Sequence, residues 1–540
     1  MSEFDEIRTS ILGGEVARRN ATGLHPAVFA AWGATLGLSI FVFITFGPSL
    51  WTLGSAGAMY VGVIGVTLEI KGDESIAGGW VHRLRWWWRR RHGWHAFINR
   101  DDADWGNPDV DPGWDAPPQL GNVEPLDLAG TGLDDLFILL HSNPGEPNYF
   151  SVVVAVQGLA EGLRGDGKWA RTSANFSRML SSMARRSSFI RSVQIVHRSV
   201  PKDLNPHINW IRGELAHLGP EKARQLEDPI YSYGDLIDTM RPLSEDHHCF
   251  FVLCFPQSAP LMKEAARIAR SKGATIEGGV AQVIRDDTER AQQALMSAGM
   301  GDVEVLGEQR ACAVIRAMLN PSHQIERHSG ARWDNCIPTL FGGDEAVTVR
   351  ASTDPERRDE VWHHRVATVP PGHLEPVPLG PHWLRELLTG VDPDPGDPLD
   401  GLLPNPTIRT TTVRIDLVRD EHARTAVKHH VTQDIAAQMR EAEKGKVTDG
   451  GSEVMATASA RRREDLKPGS GYHGVIWSMT IAVTGRDADD LDRACNRVTE
   501  AAESTPIKDL IWKDQLHDIA IFWTLPLGRG LATTKHSKKI

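Results

Sequence analysis

The sequence predicts a membrane-anchored α/β (α+β) chain. An N-terminal two-helix transmembrane hairpin is expected first, followed by cytoplasmic split βαβ-like domains. Three observations carry this expectation. Residues 26–68 hold no Asp, Glu, Lys or Arg. A run of tryptophan and arginine, WVHRLRWWWRRRHGW, follows at 80–94. From residue 126 onward, alternating β-branched runs exchange with amphipathic runs at helical spacing.

The uncharged run sets the first expectation. One span needs about 20 apolar residues, so this stretch is long enough for two. Gly47-Pro48 lies near its middle, where proline's missing donor and its restriction of the preceding residue favour a turn. The helices are expected at about 27–46 and 50–68, with Gly33, Gly37, Gly54, Gly57 and Gly62 allowing close approach. Residues 1–25 carry Glu3, Asp5, Glu6 and Glu15, too acidic for the start of a signal peptide. They are read instead as a cytoplasmic tail.

The Trp/Arg run at 70–100 sets the orientation. Arg83, Arg85, Arg89, Arg90 and Arg91 form a cationic cluster of the kind that marks the cytoplasmic side. Trp80, Trp86, Trp87, Trp88 and Trp94 suit the headgroup layer, and arginines can snorkel from there to anionic phosphates. These ten residues are the expected membrane interface. Two spans leave both termini cytoplasmic and the chain in the cell (inner or plasma) membrane.

Composition bounds the remainder. The 540 residues have room for about three folded units. Hydrophobic residues make up 41 % and the mean hydropathy is -0.29, which excludes a disordered chain and a polytopic transporter. Five cysteines are too few for a disulfide scaffold, and a net charge of -11 argues against direct nucleic-acid binding. Residues 101–125 read as a Pro/Asp-rich linker and 126–365 as a first α/β region. Residues 366–406 read as a Pro-rich crossing and 407–540 as a C-terminal α/β domain.

Within these regions the patterns are specific. Strands are expected at 149–160, 248–255, 407–418, 474–485 and 507–512. Residues 175–200 begin as a helix and end as a strand. Helices are expected at 260–274, at 286–300 with Asp286 or Asp287 as its cap, at 419–445, and at 487–504 capped by Asp487. Two neighbouring strand–helix–strand units suggest a split βαβ sheet. No repeat of 20–50 residues is evident.

Catalytic signals are weak. GLRGDGKW (162–169) matches the first seven positions of a phosphate-binding loop, but Trp169 stands where a hydroxyl would hold Mg²⁺. Three His-His pairs, at 247–248, 363–364 and 429–430, lack metal-ligand spacing. Cys249 and Cys254 straddle an apolar strand and read as small hydrophobes. Cys312, Cys336 and Cys495 have no evident partner for nucleophilic chemistry, and GSGYHG (469–474) reads as a turn. No catalytic, cofactor-binding or metal residue is assigned, and the chain is read as a non-enzyme.

The order of parts resembles a known family. It is similar to actinobacterial conjugative-element membrane proteins that look like the N-terminal, pre-motor half of type IV secretion ATPases fused to a PrgI-like hairpin. The resemblance rests on the hairpin, on RLRWWWRRRHGWH (83–95), on YFSVVVAVQG (149–158), and on a closing phrase of the type F-x-x-x-L-P-L-G. Here that phrase is Phe522, Leu525, Pro526, Leu527, Gly528 and Arg529, with Gly530 after it. In the secretion ATPases a similar phrase lies just before the motor domain. The runner-up resemblance is to the EccE-type component of type VII secretion, which also joins a hairpin to a motif-free α/β domain.

The resemblance implies a non-enzymatic inner-membrane structural component of a conjugative, type IV-like DNA or protein export machine. Such a chain would anchor or recruit a separate motor ATPase and other machine subunits, as a homo- or hetero-oligomer, with no cofactor. The alternative is an EccE-like component of a type VII system.

Overall fold

The computed structural model describes residues 26–67, 69–71, 74–99, 102, 116–144, 146–158, 166–217, 219–240, 244–326, 328–357, 359–370, 373–375, 377–380, 382–389, 407–443 and 451–530. The acidic tail, most of the 101–125 linker, the glycines at 162 and 165, residues 390–406 of the 366–406 crossing and the basic end lie outside the described residues.

Two apolar helices come first, α1 (Pro26–Phe46) and α2 (Leu50–Thr67). Gly47 turns between them at φ +69°, a left-handed conformation that glycine adopts without steric cost. Trp32 of α1 meets Tyr60 of α2 with ring centroids 6.1 Å apart. The hydroxyls of Thr35, Ser39 and Thr45 each donate to the carbonyl four residues back.

Among the described residues no helix is long and apolar enough to cross a membrane. This corrects the expected transmembrane hairpin and, with it, the placement in the cell membrane with both termini cytoplasmic. Composition is the physical reason: Gly33, Thr35, Gly37, Ser39 and Thr45 dilute α1, and Thr52, Gly54, Ser55, Gly57, Gly62 and Gly65 dilute α2.

A ribbon of β1 (Glu69–Lys71) and β2 (Glu74–Ser75) leads to α3 (Ile76–Arg91) and β3 (Ala96–Phe97). The body then unfolds as two passes through one plan. The first pass runs β4 (Val123–Pro125), β5 (Leu139–His141), β6 (Tyr149–Val156), α4 (Asp166–Met183) and β7 (Ser192–Pro201). It makes an excursion through α5 (Asn205–Ala216), α6 (Pro220–Gln225) and α7 (Glu227–Met240). It closes with β8 (Glu245–Pro256), α8 (Ala259–Lys272), α9 (Ile276–Ser297), β9 (Val303–Val305) and α10 (Glu308–Leu319). The second pass runs β10 (Leu340–Gly342), β11 (Val347–Arg350), β12 (Val361–Val369), α11 (Arg385–Thr389) and β13 (Ile408–Val418). Its excursion is α12 (Asp420–Glu443) and α13 (Gly451–Asp465). It closes with β14 (Gly474–Gly485), α14 (Ala488–Glu503), β15 (Ile511–Trp512) and α15 (His517–Thr524).

Among the described residues these strands form one 13-stranded sheet in the order β3-β10-β11-β12-β14-β13-β7-β8-β6-β5-β4, with β9 on β6 and β15 on β12. Every pairing in it is antiparallel. The order reads the same outward from the β7–β13 joint, where Ile195 faces Val413 and Val196 faces Thr412. An antiparallel joint between equivalent strands relates the two halves by an approximate two-fold.

The expected split βαβ domains are therefore corrected to two halves of one large antiparallel sheet. In each half the late strand enters between two earlier ones, β8 between β6 and β7, and β14 between β12 and β13. The excursions α5–α7 and α12–α13 bring the chain back to the strand end it left. The next strand then runs antiparallel.

Alternation along the strands builds a core on each face. Val152 and Val154 pack under α4, α8 and α9, while Val153 points to the opposite core, which contains α10 and α15. Met479, Ile481 and Val483 face α14, and Ala482 faces the other way. Fully burying a side chain such as Phe255 or Phe522 contributes about 2–3 kcal/mol.

Helix ends follow local chemistry. Gly273 closes α8 at φ +63°, and Asp487 caps α14 by accepting the Asp490 N–H at 2.8 Å. The helix expected from 286 starts earlier, at Ile276, where the Thr275 hydroxyl accepts the Gly278 N–H. Asp287 is not a cap. It is buried within α9, accepts the Phe189 N–H at 2.6 Å and pairs with Arg290. Of the strand expected at 507–512, only Ile511–Trp512 pairs in the sheet.

Candidate functional site

The closing phrase lies across the joint of the two halves. Gln194 on β7 donates from its amide nitrogen to the carbonyls of Trp523 (2.9 Å) and Leu525 (3.0 Å). Its amide oxygen accepts the Gly528 N–H at 2.7 Å. One glutamine thus satisfies three backbone groups of a segment with no ladder of its own. Thr412 on β13 donates to the Thr524 carbonyl at 3.2 Å. Phe522, Leu525, Pro526, Leu527 and Gly528 are all buried, and Arg529 is half-buried.

Gly528 is the centre of a polar node. Its carbonyl accepts from the Tyr149 hydroxyl and from an Arg414 guanidinium nitrogen, both at 3.1 Å. Its φ is +71°, and a methyl group there would sit 2.7 Å from the Cys254 sulfur. The glycine of the phrase is thus required by backbone angle and by space. Asp416 supports Arg414 from two residues along the same strand at 3.3 Å.

Beside the node, His141 stacks on Tyr149 with ring centroids 4.2 Å apart, and its Nε2 lies 2.9 Å from the Ser151 hydroxyl. Burial, then Arg529 and Arg414, hold the imidazole well below its ordinary pKa. A serine and a neutral histidine in contact could in principle form a nucleophile and its base. Here His141 and Ser151 are 0 % and 1 % exposed, so a substrate has no route to the pair. Burial also pushes the Cys254 thiol up to about 12, against thiolate chemistry.

The segment that ends in the phrase also receives the aromatic–basic helix. Trp86 of α3 is 5 % exposed, and its indole N–H donates to Asp344 at 2.6 Å. Arg89 pairs with Asp518 on α15, whose side chain is 1 % exposed. Burial raises the Asp518 carboxyl to about 6, and Arg89 opposes that rise. His82 Nε2 lies 3.1 Å from the Asp514 carbonyl. Positions 82, 86 and 89 follow helical spacing and form the inward stripe of α3.

The other face of α3 is open. Trp80, Trp87, Trp88 and Trp94 are exposed, as are Arg83, Arg85, Arg90 and Arg91. Arg91 lies over the Trp87 ring at 5.4 Å, and Trp88 meets Trp94 edge-on at 4.8 Å. Of the ten residues expected at an interface, two are turned into the protein and eight face outward.

The remaining motifs fall into packing roles. Lys168 is exposed in the first turn of α4, and Trp169 packs edge-on against His382 at 4.5 Å. His364 is buried between the Thr484 hydroxyl (2.9 Å) and the Leu319 carbonyl (2.8 Å), and burial lowers it to about 3. Arg198 reaches the Ala317 and Met318 carbonyls, each at 3.0 Å, so side chains from both halves cap the C-terminus of α10. His247 stacks on His197 at 5.2 Å. Among the described residues no three His, Cys, Asp or Glu side chains are grouped to hold a metal ion.

Sequence reasoning singled out the phrase and the Trp/Arg run but not their partners. Gln194, Tyr149, Arg414, Asp344 and Asp518 are isolated polar letters in apolar strands, loops or helix starts. Arg414 and Asp416, opposite charges two apart in a β-branched strand, were the available signal. No protein-family model matches the chain, and no curated protein matches it.

Proposed function

We propose that this chain is a structural, non-catalytic component of a conjugative, type IV-like export machine, and that its body seats a separate motor ATPase. The observation that carries the reading is the clamping of the closing phrase on the β7–β13 joint through Gln194, Thr412, Tyr149 and Arg414. In the family the sequence resembles, a similar phrase lies immediately before the motor. Here the phrase is tied to both halves of the sheet, so the chain leaves Gly530 from a rigid base. A motor seated at that place would be held in register with the whole body.

The test is purification of the tagged full chain from its native cells in mild detergent, followed by mass spectrometry. The reading expects a hexameric ATPase with its own phosphate-binding loop at near-stoichiometric yield. Recovery of the chain with no ATPase contradicts it.

A further inference from the structure

We propose that this protein associates head to tail with a second copy of itself, the outward face of α3 on one copy packing against the outward face of α7 on the next. The inference goes beyond the proposed function and stands independently of it. It rests on two exposed helices of opposite charge and matching character.

The α3 face is basic and aromatic. Opposite the inward stripe, positions 80, 84, 87 and 91 share one side of the helix, and Trp80, Leu84 and Trp87 are 68 %, 64 % and 53 % exposed. The whole of α3 contains five arginines and no acid. Arg89 pairs with Asp518 and Arg90 with Asp344, while Arg83 and Arg91 lie on or beside the outward face.

The α7 face is acidic and aromatic. Neither α5 nor α7 buries a single residue. Glu227, Tyr231 and Asp235 follow at i, i+4 and i+8 and so line one side of α7. Tyr231 is 73 % exposed, Asp228 adds a further acid, and α7 contains no Lys or Arg. A tyrosine ring flanked by carboxylates suits arginines flanked by tryptophans. Charge pairs fix the register and cation–π contact adds to it.

Size and symmetry agree. The two helices have 16 and 14 residues, about 24 Å and 21 Å of matched length. The equivalent excursion in the second half, α12–α13, has its own buried cluster of Ala423, Val427, Val431 and Leu466. Among the described residues the first half's excursion has no such cluster, and a neighbouring copy would supply the missing cover. Because the two surfaces differ, the contact is heterologous and propagates into a closed ring or a filament.

The experiment is sedimentation velocity on the full chain at micromolar concentration and low salt, in a mild non-ionic detergent. Wild type should sediment as species larger than a dimer, and added salt should dissociate them. The Arg83→Glu/Arg91→Glu variant and the Glu227→Lys/Asp235→Lys variant should each lose association roughly tenfold or more while keeping the wild-type thermal midpoint. An equimolar mixture of the two should associate again, because each reversed face then meets a complementary one. A wild type that stays single, or a mixture that stays dissociated, overturns the proposal. So does an α3 variant that still associates but no longer binds phosphatidylglycerol vesicles or duplex DNA, which would assign the face to that ligand.

Discussion

The two halves of the sheet share one order of elements and differ in what they attach to it. In the second half the excursion α12–α13 closes on its own apolar cluster, and α15 accepts Arg89 before running into the sealed phrase. In the first half the excursion α5–α7 stands open, while α10 is buried along Ala311–Ile315 and Ala317–Leu319 and capped by Arg198 and His364. One scaffold used twice thus carries a closed half and an open half. The strands that form the joint are common to both plans, and the specific features sit on excursions and closing helices, where change costs the sheet least.

The sharpest way to break the closed half is at Gly528. In Gly528→Ala the new methyl meets the Cys254 sulfur at 2.7 Å from a left-handed backbone. A loss of about 2–5 kcal/mol is expected in denaturant unfolding. Gly469→Ala has a similar φ of +87° but open space around it, and should cost only about 1 kcal/mol.

Next comes the tie between α3 and α15. Arg89→Ala strands the buried Asp518 and should cost about 2–3 kcal/mol, at the low end for a broken buried pair because the Arg89 side chain keeps 14 % exposure. Arg83→Ala, on the open face of the same helix, should stay within about 0.5 kcal/mol. Equal effects would erase the distinction between the two faces.

Acid should loosen the joint between halves by a comparable net amount. His364 and His197 are held at about 3 and about 4, below their unfolded value near 6.5. Their stabilisation is complete above that value and falls as pH drops toward the folded values. Between pH 6.5 and 5 each group contributes a loss of up to about 2 kcal/mol. Asp518, raised to about 6, acts in the opposite sense below that pH and offsets about 1 kcal/mol. Thermal midpoints across this range should fall on acidification, and less steeply in His364→Gln. The smallest expected effect is at Lys168. Mg-ATP should leave the midpoint of wild type and of Lys168→Ala equally unmoved, and a rise confined to wild type would revive the Gly-rich loop as a nucleotide site.

Much of the local structure was legible. The strands β6, β8, β13 and β14 and the helices α8, α12 and α14 were readable from period and caps, because local spacing alone dictates them. The duplication was not, because its two passes agree in topology and not in letters. His141 and Ser151 have no evident counterparts in sequence across the joint. The hairpin was legible as two helices flanking Gly47, yet uncharged length alone overstated it as a pair of spans. The phrase was visible as letters, whereas its seat was not. Gln194 and Phe522 are 328 positions apart, and only the antiparallel joint brings them together.

Hydrogen–deuterium exchange of the full chain tests the contrast between halves most directly. Slowest exchange is expected in β7, β13 and residues 517–528, intermediate protection in α12 and α13, and exchange orders of magnitude faster in α5 and α7 of the dissociated chain. Equal protection of the two excursions, or early exchange of the phrase, would contradict the account.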